Sequence, residues 1–296
     1  MQSDIFPAVK LFSCGGAPAV ACWPSPLSKS PAHGWNCLAK QLKRRQSGEG
    51  RILTQEQSVA TVFEPAAATF LKTVDGDDFP VRRVFCIGRN YAAHAREMGK
   101  DPDREPPFFF TKWAETAVNA DPADACRIAY PSETQSYHFE VELVVALGAP
   151  AFRVDANEAM KAVWGYGVGL DMTRRDLQSA AKDLGRPWDV AKNVEESAPT
   201  GRLVSAAKAA AAGFDPARGR IALSVDGAAK QDGDLSEMIW PVGDVIAHVS
   251  RFYRLGAGDL IFTGTPAGVG AVVPGNRLVG EIAGLPPLDV TIGEPA

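Results

Sequence analysis

The sequence predicts an α+β fold, a mixed and mostly antiparallel β-roll with peripheral helices. Short apolar runs with the two-residue period of strands outnumber the segments that have a helical period. Strands and helices do not follow one another as regular βαβ units, which argues against a doubly wound parallel sheet. The chain has 296 residues, of which 46% are hydrophobic, so one or two domains with a substantial core are expected.

The predicted elements follow local patterns of apolar spacing, helix caps and turn residues. Asn90 can cap the first helix, and Gly99 and Gly185 can end helices. The dipeptide Asp226-Gly227 between two short runs is a strong hairpin signal. In chain order, the predicted strands are residues 81–87, 139–147, 165–171, 221–225, 228–231, 259–263 and 288–292. The predicted helices are residues 91–98, 159–164, 173–184 and 236–255, the last entered at Pro241.

Residues 1–57 differ in composition from the rest of the chain. They carry three of the five cysteines, a stretch rich in Pro and Ser, and no hydrophobic period. We expect residues 1–57 to be a disordered extension or the result of a translation start assigned too far upstream, with a transit peptide as the weaker alternative. A short lead-in is expected over residues 58–80 and a catalytic domain over residues 81–296.

Composition and charge exclude several classes of function. The formal net charge is −4, so no basic excess indicates binding to nucleic acid or to an anionic membrane surface. No apolar run reaches the ~18 residues of a transmembrane helix. The five cysteines are an odd number without C-x-x-C spacing, which favours neither a disulfide framework nor a thiolate zinc site. A cytoplasmic protein that acts on a small molecule is expected.

Three acidic residues form a candidate metal site. In the predicted strand 139–147, the two-residue period places Glu140 and Glu142 on one face. A solvated sheet surface is the commoner setting for such a pair. Asp171 changes this interpretation because it ends the next predicted strand, from which its carboxylate can reach the same face. An all-oxygen ligand set suits Mg²⁺ or Mn²⁺ better than Zn²⁺.

A second candidate site is the pair His94 and Glu97, three residues apart on one face of the first predicted helix. Glu97 can orient the imidazole, as in a general-base dyad, although a surface pair is the commoner setting for this spacing. The glycine-rich turn 263–270 offers N–H groups and hydroxyls that can hold a carboxylate, and a purely structural turn is an equal alternative. Further polar groups that would complete a pocket for an anionic ligand are Arg175, Gln178 and Lys192.

Four segments carry a more specific signal: IGRNYAAHAREM at residues 87–98, FEVE at 139–142, GLDMTRRD at 169–176 and TGTPAGVG at 263–270. In this order they resemble the fumarylacetoacetate hydrolase family, in its short acylpyruvate hydrolase branch, over residues 79–292. Residues 103–110, 176–178, 184–188 and 235–240 are most similar to the bacterial members that act on fumarylpyruvate. Trp113 and the pair Asn193-Val194 depart from the residues common at these positions in the family.

The resemblance implies a fold of the family's C-terminal-domain type, a homodimer, and one Mg²⁺ or Mn²⁺ per subunit held by Glu140, Glu142 and Asp171. It implies cleavage of the C3–C4 bond of an acylpyruvate, with fumarylpyruvate giving fumarate and pyruvate in gentisate-type aromatic degradation. The catalytic residues would be His94 and Glu97, which activate water, and Lys192, which stabilises developing charge. The expected substrate-binding residues are Arg89, Arg175, Gln178, Gly264 and Thr265.

Two alternatives to this function remain open. An oxaloacetate decarboxylase, or an isomerase or hydratase of a 2-oxo diacid, would use the same scaffold and the same metal-enolate chemistry. Hydrolysis additionally needs a group that activates water, which the pair His94 and Glu97 provides. From a different class, the chain could be a non-catalytic module that binds a metal or a carboxylate.

Overall fold

The computed structural model describes residues 61–97 and 107–295. All described residues except Thr61 and Val62 belong to one compact unit, which begins at Phe63. The extension predicted for residues 1–57 lies outside the described residues. No helix in the described part of the chain is long and apolar enough to cross a membrane.

Eighteen strands occur in the described residues, and most of them are short. In chain order they are β1 (Phe70–Lys72), β2 (Asp78–Pro80), β3 (Arg83–Gly88), β4 (Phe108–Lys112), β5 (Ala117–Asn119), β6 (Arg127–Tyr130), β7 (Tyr137–Phe139), β8 (Val141–Leu147), β9 (Val163–Leu170), β10 (Thr173–Arg174), β11 (Ala198–Thr200), β12 (Val204–Ser205), β13 (Arg220–Val225), β14 (Ala228–Asp234), β15 (Asp259–Phe262), β16 (Gly270–Val272), β17 (Arg277–Ile282) and β18 (Leu288–Pro295).

Six short α-helices and two 3₁₀ turns connect the strands within the described ranges. The helices are α1 (Ala92–Glu97), α2 (Ala156–Met160), α3 (Arg175–Asp183), α4 (Asp189–Lys192), α5 (Ala206–Ala211) and α6 (Val242–Ser250). The 3₁₀ turns are Ala114–Thr116 and Leu235–Glu237.

The strands form four sheets. The largest has the order β4-β3-β15-β8-β9-β11-β5, with β12 also paired to β9. A five-stranded sheet has the order β14-β13-β17-β18-β6, a three-stranded sheet has β10-β7-β16, and β1 pairs with β2. The pairs β3–β15, β5–β11 and β6–β18 are parallel, and the other pairs are antiparallel. This is the mixed, mostly antiparallel α+β fold that the sequence predicts.

The strand β8 lies between two hydrophobic cores, and all seven of its residues are buried. The apolar residues at odd positions from Val141 to Leu147 belong to the larger core, whereas Val144 and Ala146 belong to a smaller core. Glu142 shares its side of the pleat with Val144. The predicted period of two is therefore present, but both faces of the strand are inside the protein.

Three predicted helices are wrong in their extent, among them the one predicted for residues 236–255. Residues 159–164 were expected to be helical, but α2 ends at Met160 and Val163 and Trp164 begin β9. Branched and aromatic side chains favour a strand there. The helix predicted for residues 173–184 begins only at Arg175, because Thr173 pairs with His138 of β7.

The turn signals located the remaining elements more accurately. Asp226 and Gly227 have φ values of 52° and 80°, as a type I′ turn between β13 and β14 requires. The helix predicted for residues 236–255 is shorter, and α6 begins at Val242 directly after Pro241. The predicted lead-in 58–80 contains β1 and β2 within its described part.

Candidate active site

Three carboxylates meet where two neighbouring strands end. Glu140 lies between β7 and β8, Glu142 is in β8, and Asp171 directly follows β9. In the antiparallel pair β8–β9, Val141 lies opposite Leu170, and the Asp171 N–H donates to the Glu140 carbonyl at 2.9 Å. All three acidic side chains are buried, and one carboxylate oxygen of each lies within 4.8 Å of the others. The structure thus places the carboxylates of Glu140, Glu142 and Asp171 close together, as expected from the sequence.

Two cations on short helices lie against these carboxylates. Lys192, the last residue of α4, donates from Nζ to Glu140 Oε2 and to Asp171 Oδ2, both at 2.7 Å. Arg175, the first residue of α3, donates to Glu140 Oε1 and also, at 2.6 Å, to Gln178 Oε1. Both oxygens of Glu140 therefore accept from a cation, which compensates its charge in the interior.

A further cation, the buried Lys112 at the end of β4, was missed by the sequence analysis. Its side chain is fully buried, and Nζ lies 3.0 Å from Asp171 Oδ1. The same Nζ donates to Ser197 Oγ at 2.8 Å, to the carbonyls of Met172 and Ser197 at 3.1 Å, and to the carbonyl of Lys192. Lys112 thereby ties the segment that carries Asp171 to the segment that follows α4.

These charges act in opposite directions on the two glutamates. Burial raises the pKa of Glu140, but the charges of Lys192 and Arg175 outweigh burial and hold this pKa far below its ordinary value. Burial, together with the negative charges of Asp171 and Glu140, raises the pKa of Glu142 well above its ordinary value. Of the two glutamates, Glu142 is therefore the one whose ionised form the protein compensates less.

The backbone after β15 forms the wall of the site beside Glu142. The Gly264 N–H donates to Glu142 Oε2 at 2.8 Å. Gly264 has a φ of +97°, and a Cβ at this position would lie 2.7 Å from Asn90 Cβ, so the position requires glycine. The buried Asn90 amide fixes this wall, since its Nδ2 donates to the carbonyls of Thr263 at 2.8 Å and Trp240 at 2.9 Å.

The helix α1 and the turn before it supply two further groups. The His94 side chain is buried, with a relative exposure of 6%, and faces the carboxylates. The Glu97 side chain lies outside the described part of the structure, so the predicted dyad stays a prediction. Arg89 has a φ of 56°, a conformation uncommon for a residue other than glycine, and its guanidinium lies 5.0 Å from the Phe108 ring centroid.

Most of these groups line one pocket, here named the inner pocket, of about 430 Å³ including its open mouth, whereas Lys112 and Asn90 are not among its lining residues. Gly264 reaches it through its hydrogen bond to Glu142. Gln231 positions another wall residue, because its Nε2 donates to Thr265 Oγ1 at 2.8 Å. The residues predicted from sequence that line the inner pocket are Arg89, His94, Glu140, Glu142, Asp171, Arg175, Gln178, Lys192 and Thr265.

The three carboxylates fit a divalent cation. Their donor atoms are all oxygens, the ligand type that Mg²⁺ and Mn²⁺ prefer. Asp171 Oδ1 is buried and accepts no hydrogen bond, because Lys112 lies near it without the geometry of a hydrogen bond. A buried carboxylate oxygen in this state retains lone pairs for a cation. Glu140, Glu142 and Asp171 are accordingly a buried acidic group that could hold a metal ion.

The contacts of Lys112 predict a structural cost for its removal. We expect Lys112→Met to lower the free energy of unfolding by about 3–5 kcal/mol, because the change removes one of the two cations beside the Asp171 carboxylate and leaves several buried carbonyls without a donor. Urea denaturation followed by circular dichroism measures this loss. The exposed Lys230 of β14 provides a matched control, Lys230→Met, which should stay within about 0.5 kcal/mol of the unchanged protein. Equal effects of the two changes would contradict the assignment.

The raised pKa of Glu142 predicts that removing the charge of this side chain raises the thermal stability of the protein in a pH-dependent way. When a carboxyl has a higher pKa in the folded than in the unfolded state, the folded protein loses stability as pH rises above the pKa of the unfolded state. In chelator-treated protein at pH 7, Glu142→Gln should therefore raise Tm, by roughly 3–8 °C. The gain should vanish below about pH 4, where the carboxyl is protonated in both states. Scanning fluorimetry measures these Tm values. Glu281→Gln, a change at an exposed position, is the control. A lowered Tm of Glu142→Gln at pH 7 would contradict the prediction.

Known proteins resemble this chain in sequence and in fold. The family model described as Fumarylacetoacetate (FAA) hydrolase C-terminal matches residues 83–293. A fumarylpyruvate hydrolase of Ralstonia sp is 43% identical over 198 residues, which are 66% of this chain and 98% of that protein. The oxaloacetate tautomerase YcgM of Escherichia coli (strain K12) is 39% identical over 201 residues, which are 68% of this chain and 88% of that protein.

The solved structures include a relative with ligands. The crystal structure of fumarylpyruvate hydrolase from Pseudomonas aeruginosa in complex with Mn²⁺ and pyruvate matches with a TM-score of 0.76 and 47% identity. The match covers 79% of this chain and 100% of that chain. Since the family model spans most of the chain and these relatives match over nearly their whole length, the chain belongs to the fumarylacetoacetate hydrolase family.

Proposed function

We propose that this chain is a metal-dependent hydrolase that cleaves the C3–C4 bond of an acylpyruvate, with fumarylpyruvate as its substrate. The products are fumarate and pyruvate, and the reaction belongs to gentisate-type aromatic degradation. The observation that carries the proposal is the inner pocket, in which the buried His94, the buried Lys192 and the partly exposed Arg175 face three converging carboxylates. The similarity to the fumarylpyruvate hydrolases of Ralstonia and Pseudomonas aeruginosa supports the same substrate.

Glu140, Glu142 and Asp171 would hold one Mg²⁺ or Mn²⁺ per subunit. Their oxygens are close enough to share one cation, and the raised pKa of Glu142 reflects a charge that such a cation would relieve. The Pseudomonas aeruginosa protein is described in complex with Mn²⁺ and pyruvate, which supports a pyruvoyl group beside these residues. A bound cation supplies a Lewis acid that polarises the substrate's oxygen atoms.

His94 would act as the general base. Its buried ring faces the inner pocket, where it can take a proton from water as the water oxygen attacks the C4 carbonyl carbon. The C3–C4 bond then breaks, its electron pair forms the enolate of pyruvate, and protonation at C3 gives pyruvate. Glu97 would orient the imidazole, since it lies three residues along on the same face of α1.

The remaining polar groups would bind the substrate and stabilise its charge. The Lys192 ammonium lies at the carboxylates and also faces the pocket, a position from which it can stabilise the developing enolate. Arg175 and Gln178 are already hydrogen-bonded to each other and present a preorganised pair to a substrate carboxylate or carbonyl. The binding set is completed by Arg89, Gly264 and Thr265.

A second reaction on the same site has support from the comparisons. The similarity to the oxaloacetate tautomerase of Escherichia coli favours chemistry on oxaloacetate, as a decarboxylase or as an isomerase of a 2-oxo diacid. Such a reaction needs the metal and the enolate but no attacking water. The homodimer and the cytoplasmic location expected from the sequence stay predictions.

The proposed metal dependence has a direct assay. Purified protein treated with a chelator should lose turnover of fumarylpyruvate, followed by the ultraviolet absorbance of its enol, and added Mg²⁺ or Mn²⁺ should restore it. Glu142→Ala should not be restored by either metal, whereas Glu281→Ala should be. Full turnover in the presence of chelator would refute the metal site. Turnover of oxaloacetate without turnover of fumarylpyruvate would favour the second reaction.

The proposed general base predicts a large kinetic effect at one side chain. His94→Ala should lower kcat for fumarylpyruvate by roughly 10²- to 10⁴-fold, because the attacking water loses its proton acceptor. Mn²⁺ affinity, measured by calorimetry, should remain within about threefold, since the imidazole is not among the proposed ligands. His248→Ala, on α6 and away from the inner pocket, is the matched control. Unchanged kcat in His94→Ala would contradict the assignment.

A further inference from the structure

Beside the inner pocket lies a second and wider cleft, here named the outer cleft, of about 1090 Å³ including its open mouth. The outer cleft lies between β4 and residues 186–189. The same residues line both spaces, so their shared border is the path along which a ligand anchored at the three carboxylates would extend outward. These shared residues are Arg89, Phe108, Phe110, Trp188 and Lys192.

The walls of this path are aromatic. The Trp188 ring centroid lies 5.5 Å from that of Phe108 and 5.8 Å from that of Phe110. Lys192 Nζ lies 4.9 Å from the centroid of Phe110, so the path begins at the cation that contacts Glu140 and Asp171. Rigid aromatic surfaces of this kind suit a flat, unsaturated chain.

The outer end of the path carries an exposed arginine, Arg186. Arg186 is exposed on the loop between α3 and α4, and its backbone N–H donates to the Ala181 carbonyl at 2.8 Å, which tethers the loop to α3. Within the described ranges, no acidic side chain pairs with the Arg186 guanidinium. The charged residues that line the outer cleft are Arg89, Arg186 and Lys192 against Asp189.

We propose that the outer cleft is the binding subsite for an acyl group that ends in a carboxylate, and that Arg186 binds this carboxylate. The inference rests on the proposed function, which places the pyruvoyl end of the substrate at the three buried carboxylates. The acyl chain then passes Phe108, Phe110 and Trp188 and reaches the loop of Arg186. A guanidinium presents paired N–H donors that match the two oxygens of a carboxylate, so Arg186 selects dicarboxylic over monocarboxylic substrates.

The test compares two substrates that differ only at this end. Fumarylpyruvate ends in a carboxylate, whereas crotonylpyruvate has the same unsaturated acyl chain with a methyl group in that place. Arg186→Gln should raise KM for fumarylpyruvate roughly 5- to 20-fold with kcat nearly unchanged, because an exposed charge contact is lost equally in ground and transition states. For crotonylpyruvate both constants should stay within about twofold. Arg186→Lys should recover part of the lost affinity for fumarylpyruvate. Arg218→Gln, at an exposed arginine outside the outer cleft, should leave KM and kcat unchanged for both substrates.

A binding measurement separates this inference from the proposed reaction. Proton NMR titration of fumarate and of crotonate, with Mg²⁺ and pyruvate present, should show that Arg186→Gln weakens fumarate binding and leaves crotonate binding unchanged. If the unchanged protein hydrolyses no acylpyruvate but binds fumarate in this Arg186-dependent way, the proposed reaction fails and the subsite stands. Equal effects of Arg186→Gln on both ligands, no effect on either, or no fumarate binding by the unchanged protein would overturn the subsite.

Discussion

The burial of three like charges is the constraint on which the site depends. Carboxylates whose oxygens lie within 4.8 Å of one another repel strongly where water is excluded. The protein compensates two of them, Glu140 and Asp171, with cations that come from β4 and, further along the chain, from the consecutive helices α3 and α4. Because these contacts are charged and buried, loss of any one partner leaves an uncompensated ion in the interior. The arrangement that prepares the site for chemistry thus also holds the surrounding segments together.

The convergence of the carboxylates could be predicted because it follows from local rules. A period of two places Glu140 and Glu142 on one side of their strand, and Asp171 follows the strand that pairs with it. The same rules did not indicate that β8 has a hydrophobic core on each side, since an alternating pattern normally means that one face of the strand is exposed to solvent. Only the packing of the smaller core against Val144 and Ala146 shows why Glu142 is buried.

The role of Lys112 could not be predicted from its surroundings in the sequence. Its acceptors lie 60, 80 and 85 residues further along the chain, at Met172, Lys192 and Ser197. The local signal is a lysine that closes the apolar run of β4, and such a lysine is ordinarily a surface residue. The helix predicted from residue 173 failed for a similar reason, because the pairing of Thr173 with His138 is decided by a distant strand.

A contact at the edge of the site links the two positions at which the chain departs from the family's common residues. The Trp113 N–H donates to Asn193 Oδ1 at 2.7 Å, across 80 residues. A proline at position 113 would have no N–H to offer, and a small residue at position 193 would have no side-chain acceptor. This hydrogen bond therefore depends on both residues, which directly follow Lys112 and Lys192 in the chain. Replacing either residue alone leaves the other without its partner, so residues 112–113 and 192–193 are best transferred together when segments are grafted.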